Sequence, residues 1–425
     1  MTAPCTPPPG YYGFRGRLVL TACLLTLLSG GCVGGPLPTQ APQPPAEYLA
    51  NALDWLAVNA VRSEDIAWPA LREQALALSP NPRTTADTYP ALLYATGQIG
   101  DWATFFLDPA QARAAENFGL LALYPQNVIV DLNPGGAAER AGLRLGDLIE
   151  TVDGGPPKPW QNAPIVDLGY AASVQLTVKR ADQAQPIVAT LARGAATERD
   201  PVGQALARRE ARLGYIDLPV TSGAILYATD AHQALRRASP GEVCGWVIDL
   251  RRNSGGDLWS YLAAIGPILG EGEVGGFVYA DGAREPWTYA GGKVFWNGNE
   301  RFESLVEGPL YPVSRPLPPV ALLTSPATAA AGELAVVAFQ GRPKVRSFGE
   351  PTAGSPVLQF HTTLSDGAFL SVSGAFASDR TGRVYNGSIT PDEVVRIDWT
   401  QVGTEQDQVL RAALEWLQGQ PDCAR

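Results

Sequence analysis

From Leu213 onward the sequence alternates short apolar and β-branched runs with helical stretches. Leu213–Val220 is followed by a helix at about Ala231–Ala238, by Trp246–Leu250 and, at the end, by a helix over about Gln406–Gln418. Strands that alternate with helices bury both faces most readily in an α/β core. Two other regions precede it. Leu49, Leu53, Leu56, Ala57 and Ala60 recur at helical spacing in a stretch running from Ala46 to about Ser79, before Pro80. A second helix is expected from Thr85 to about Ile99, with Leu92, Leu93 and Ile99 facing inward. Between about Pro109 and Ala195, Val128–Leu132 and Val174–Val178 read as strands with a small helix between them. At 425 residues the chain exceeds what one core organises, so two or three domains are expected.

The amino terminus reads as an address. Arg15 and Arg17 precede the apolar run Leu18–Leu28, and Ser29-Gly30-Gly31-Cys32 supplies small residues for cleavage. The run is shorter than the ~20 residues that span a bilayer, so residues 1–31 are expected to be a signal peptide. The string ending at Cys32 resembles a bacterial lipobox, which implies lipidation of Cys32 and attachment to a membrane. Residues 32–46, with Pro36, Pro38, Pro42, Pro44 and Pro45, then form a stiff extended linker.

Composition excludes several functions. The formal charge is −10, from 32 basic and 42 acidic residues, and no run of Lys or Arg makes a basic patch, so nucleic acid is not an expected partner. Two histidines without a Cys/His cluster argue against zinc, and no phosphate loop opens a helix, so no cofactor is expected. With Cys5 and Cys23 in or before the export segment, only Cys32, Cys244 and Cys423 remain. A disulfide framework is therefore not expected, and Cys244 reads as a small buried hydrophobe.

Within residues 109–197, Phe118-Gly119-Leu120-Leu121 and Pro134–Leu143, followed by Leu145-Gly146-Asp147-Leu148-Ile149, resemble a PDZ domain. The resemblance implies that Phe118, Gly119, Leu120 and Leu121 form the loop whose N–H groups receive a peptide's terminal carboxylate, beside a strand edge that pairs with the peptide.

Three later strings resemble the C-terminal processing (tail-specific, tricorn-like) serine peptidase family. In Trp246–Gly256 a strand runs into Gly255-Gly256, and consecutive glycines there let backbone N–H groups point at a developing oxyanion, each worth ~3 kcal/mol. The resemblance gives that role to Gly255, Gly256 and Ala331. In Leu322–Leu334 the family places its nucleophile three residues before a glutamate, and that position is Ala330. A methyl group has no lone pair with which to attack a carbonyl. In Phe348–Ser355 the position of the family's general-base lysine is Ser355, and in Gly100-Asp101-Trp102-Ala103-Thr104 the position of the tricorn-like histidine is Ala103. Glu393 has the chemistry to orient a base. Replacement groups would be Ser325, Thr328 or Ser355, with His361 as base, His232 reading as a residue of a surface helix.

The expectation is therefore a multidomain α/β protein. It has an N-terminal helical segment (47–108), a PDZ-like β-rich domain (109–197) and, as the family implies, a peptidase core of the ClpP/crotonase-like type (198–420). Family resemblance implies peptide-bond hydrolysis, whereas the alanines imply a degenerate site that keeps peptide binding. The alternative is an active serine peptidase with relocated residues. Unstructured or C-terminal peptide segments are the expected partners, and the periplasm or cell envelope is the expected location.

Overall fold

The computed structural model describes residues 43–113, 117–194, 199–208, 211–221, 227–302, 310–312 and 316–423. The expected signal peptide, Cys32 and nearly all of the proline-rich linker lie outside them. Among the described residues no helix is long and apolar enough to cross a membrane.

Helices α1 (Pro45–Asn59), α2 (Trp68–Ala77) and α3 (Tyr89–Gln98) open the fold, followed by strand β1 (Phe105–Leu107) and helix α4 (Pro109–Arg113). The helical stretch expected from Ala46 to Ser79 is two helices, because the chain turns at Ser63–Asp65 and Pro69 begins a new first turn. Leu49, Leu53, Leu56 and Ala60 are buried as expected. Leu93 is not: α3 turns Ala91, Leu92, Ala95 and Thr96 inward, and one residue further round the helix Leu93 is 47% exposed.

The PDZ-like module follows: β2 (Leu120–Leu123), β3 (Val128–Leu132), α5 (Ala137–Arg140), β4 (Leu148–Val152), β5 (Ser173–Lys179) and β6 (Ile187–Ala192), forming one five-stranded sheet in that order. Gly146 stands at a left-handed φ of 84° and a side chain there would run into Thr400, so this turn docks closely on the core only as glycine.

The core contains β7 (Val202–Arg208), β8 (Ala211–Asp217), α6 (Tyr227–Ala238), β9 (Gly245–Asp249), α7 (Leu258–Leu269), and β10 (Gly272–Val278) with β11 (Arg284–Ala290), β12 (Lys293–Trp296) and β13 (Asn299–Phe302). It continues through β14 (Val320–Thr324), α8 (Ala331–Phe339), β15 (Val345–Gly349), β16 (Val357–Thr363), β17 (Phe369–Ser378), β18 (Val384–Tyr385), β19 (Glu393–Val394) and α9 (Gln408–Gln418). A six-stranded sheet runs in the order β19-β15-β14-β9-β8-β7, parallel except for β7. Side chains alternate across it. Trp246, Ile248, Val320 and Leu322 pack with α6, α7 and α8, while Val247, Ala321, Leu323 and Phe348 pack with α9 and with Leu123, Val128 and Val130 of the PDZ-like sheet. An antiparallel sheet centred on β17 receives the N-terminal helices through Leu370 and Val372.

Two expectations fail in the core. Cys244 and Cys423 form a disulfide, with Cα atoms 5.0 Å apart and a sequence separation of 179. His232 is fully buried, on the face of α6 that carries Ala228, Ala231 and Leu235. Its Nδ1 accepts from the Tyr311 N–H (3.1 Å) and its Nε2 lies 3.1 Å from the Ala263 carbonyl, so the neutral ring with hydrogen on Nε2 satisfies both. Burial holds its pKa below the ordinary value.

Candidate active site

The site forms at the carboxyl ends of the parallel strands, where open α/β sheets place their ligands. Strand β9 ends in the glycine turn, held from below by Arg251. This fully buried guanidinium pairs with Asp249 (2.6 Å) and Asp407 (2.9 Å). Burial opposes the Asp249 charge, but Arg251 prevails and holds that carboxyl below its usual range. Asn253, also buried, donates from Nδ2 to the Leu218 carbonyl (2.9 Å), and its Oδ1 accepts the Gly255 N–H (3.3 Å). Gly255 and Gly256 have φ values of 138° and 107°, and a side chain on Gly256 would collide with the Thr221 carbonyl.

Strand β14 ends opposite this turn. The chain bends through Ala330, at φ 47° and ψ −118°, directly into α8. A non-glycine residue pays ~1–3 kcal/mol to stand there, and such a strand-to-helix elbow is the geometry that presents a nucleophile. The Ala329 N–H donates to the Asn253 carbonyl at 3.0 Å, and a methyl on Gly255 would lie 3.6 Å from the Ala330 Cβ, so elbow and glycine turn are adjacent.

Glu333 organises what surrounds the elbow. Fully buried, its carboxyl accepts from the Thr352 hydroxyl (2.5 Å) and from the N–H groups of Gly354 (2.8 Å), Ser355 (2.8 Å) and Ala330 (3.1 Å). One carboxyl thus ties the predicted nucleophile position to the predicted lysine position. Burial pushes its pKa up to about 7, despite these four donors. Ala103 arrives from the other side: the Trp102 indole donates to the Ala353 carbonyl (3.1 Å), and the Ala103 carbonyl accepts from Gln359 Nε2 and Ser371 Oγ (both 3.1 Å). Two buried oxygens beside these positions, Asp101 Oδ2 and Ser355 Oγ, have no hydrogen-bond partner.

A model of peptidase family S41 matches residues 212–395. A chloroplastic C-terminal processing peptidase from Tetradesmus obliquus is 26% identical over 377 residues, covering 81% of this chain and 75% of that protein. Residues 212–395 belong to peptidase family S41. The chain is also 28% identical, over 184 residues, to a nisin-resistance protein from Lactococcus lactis subsp. lactis, matching 41% of its own length and 50% of that protein's. The solved structure of a photosystem II D1 C-terminal processing protease shares its fold, with a TM-score of 0.58 and 22% identity over 84% of this chain and 94% of that one.

The other candidate groups are committed elsewhere. The Ser325 hydroxyl donates to the Arg251 carbonyl (2.5 Å) and accepts the Ala327 N–H, while Thr328 donates to the Leu250 carbonyl (2.8 Å). Both pin the turn between β14 and the elbow. His361 is exposed on β16, stacked on Phe369 at 5.4 Å between centroids. Glu393 pairs with Arg346 at 3.1 Å, and Asp379 caps the turn into β18.

In the PDZ-like module, Phe118 is buried beneath the Arg193 guanidinium, 4.6 Å from its ring centroid. The Gly119 N–H donates to Asn117 Oδ1 (2.8 Å), and Leu120 and Leu121 are half-buried. A cleft of about 580 Å³ separates this module from the core, lined by Val128 and Leu148 on one side and by Glu350, Arg396 and Trp399 on the other. Glu333 stood in the sequence only as a spacing marker. Gln359 and Thr352 carried no signal, since their roles arise from contacts between distant segments.

Proposed function

We propose that this S41 family member is a degenerate peptidase of the cell envelope that binds extended or C-terminal polypeptide segments without hydrolysing them. Ala330 carries the reading. Its backbone takes the strained conformation of a nucleophile elbow, and its side chain is a methyl group. The positions from which a base would come hold Ala103 and Ser355, neither of which takes up a proton near neutral pH. The intact glycine turn and elbow favour a retained groove, and the relatives named as C-terminal processing peptidases favour a polypeptide's carboxyl-terminal segment as its ligand. The Cys244–Cys423 disulfide fits an oxidising compartment, in line with the expected signal peptide and lipidation of Cys32.

The test compares the mature protein with an Ala103→His/Ala330→Ser double variant on unfolded β-casein. No cleavage by the unmodified protein, with activity in the double variant, is the expected result. Cleavage by the unmodified protein would overturn the reading. The buried, unpartnered hydroxyl of Ser355, whose own N–H is bonded to Glu333, supports a second reading in which Ser355 is a relocated nucleophile. On that reading, Ser355→Ala abolishes the cleavage.

A further inference from the structure

Strand β2 is an edge of the PDZ-like sheet, and an edge strand presents N–H and C=O groups that accept another strand. Here the chain covers part of that edge itself. Residues 158–167 form a hairpin in which the Asp167 N–H donates to the Lys158 carbonyl (2.8 Å) and the Trp160 N–H to the Ile165 carbonyl (2.9 Å). Its return limb meets β2 through two bonds, from the Tyr124 N–H to the Pro164 carbonyl (3.0 Å) and from the Val166 N–H to the Ala122 carbonyl (2.9 Å). Residues 153–172 contain no helix, and just ahead of β2 the bridge between Asn117 and Gly194 ties the run-in to this edge to the end of β6.

The tip of the hairpin reaches the core. Gln161 Nε2 donates to the Phe106 carbonyl (2.8 Å), and the Trp160 ring meets Phe105 edge-on at 5.2 Å between centroids. Both contacts fall on β1, which starts two residues after Ala103. The attachment is slight. Of residues 158–167 only Ala163 and Val166 are buried, and two bonds hold the limb where β5 and β6 share six registered pairs.

We infer that hairpin 158–167 is a displaceable strap on the strand-addition edge of β2, and that an extended polypeptide pairing with this edge must lift it. The inference rests on the peptide-binding reading above. An incoming strand forms more backbone bonds than the two it replaces, which favours exchange. Lifting the strap withdraws Trp160 and Gln161 from β1, so occupancy of this edge is felt beside Ala103.

Leu123 and Ile165 face each other across the pairing. The flanking bonds make them a non-hydrogen-bonded pair, with Cα atoms ~4.5 Å apart and within disulfide range. Leu123→Cys/Ile165→Cys in the mature chain therefore fixes the strap when oxidised. Binding of fluorescein-labelled β-casein is measured by anisotropy, and amide exchange is followed by NMR or mass spectrometry. The cross-link is expected to weaken casein binding at least ~10-fold, with recovery on mild reduction and no change in wild type under the same reductant, while Trp160→Ala strengthens it ~3-fold or more. The Tyr124 and Val166 amides should exchange at least ~100-fold faster than those of β4 and β5. Casein binding that ignores the cross-link, or exchange at these two amides as slow as in the sheet interior, overturns the strap and leaves the peptide-binding reading standing. If no form retains casein, the peptide-binding reading falls and the strap with it.

Discussion

The groups that hold the elbow in place and the positions expected to carry reacting groups differ in what this chain places there. Glu333, Asn253 and the Asp249–Arg251–Asp407 cluster are present, buried and hydrogen-bonded. Ala103, Ala330 and Ser355 stand where chemistry was expected. The contrast has an energetic basis. Removing the Glu333 carboxyl strands four donors at once, each costing free energy when buried without a partner. Replacing a hydroxyl at the elbow by a methyl strands none. Support is bound to the stability of the fold, whereas reactivity can be lost without unfolding the protein.

Predictions follow this divide. Glu333→Ala should be the most damaging change, lowering unfolding free energy by ~4 kcal/mol in urea titrations. A loss below about 1 kcal/mol would show that the shell is not coupled to stability. The proton on Glu333 adds a pH signature. Its folded pKa is raised to about 7 from an ordinary 4.5. Its contribution is thus fully present below about pH 4.5, declines as the unfolded chain ionises, and flattens above about pH 7, a total of about 3 kcal/mol. Between pH 4.5 and 8 the unfolding free energy of wild type should fall by that amount relative to Glu333→Gln, with the decline confined to wild type. Cys244→Ser/Cys423→Ser should cost about 2 to 4 kcal/mol, seen as a lower denaturation midpoint that reductant no longer shifts. On the reacting side the sign reverses. Ala330→Gly should raise stability by about 1 kcal/mol, because glycine relieves the strained φ of 47° and no side-chain contact is lost that matters to catalysis.

Local patterns carried much of this architecture. The glycine turn after β9, the elbow before α8 and the PDZ-like strands lie where short strings put them, because strand-turn-helix geometry is written within about ten residues. What escaped is non-local. Cys244 and Cys423 are separated by 179 residues and carry no spacing signal. Ser325 and Thr328 have the composition of candidate nucleophiles, yet both hydroxyls are spent on carbonyls of the neighbouring strand end. His232 could have been found: it lies three residues before Leu235 on the apolar stripe of α6, and a histidine at that period is buried more readily than its polarity implies. The self-pairing of 158–167 with β2 was hidden because a proline-containing loop does not look like a strand.

The last helix has a bearing on when this protein can fold. Asp407 caps α9 by accepting the Leu410 N–H, and it also receives the Arg251 guanidinium from 156 residues earlier. Val409, Ala413, Leu414 and Leu417 of the same helix cover one face of the parallel sheet. A nascent chain that has not yet synthesised α9 carries a buried arginine with one of its two carboxylate partners and an uncovered apolar sheet face. The core is therefore expected to close only once α9 has been made and is free to pack on the sheet.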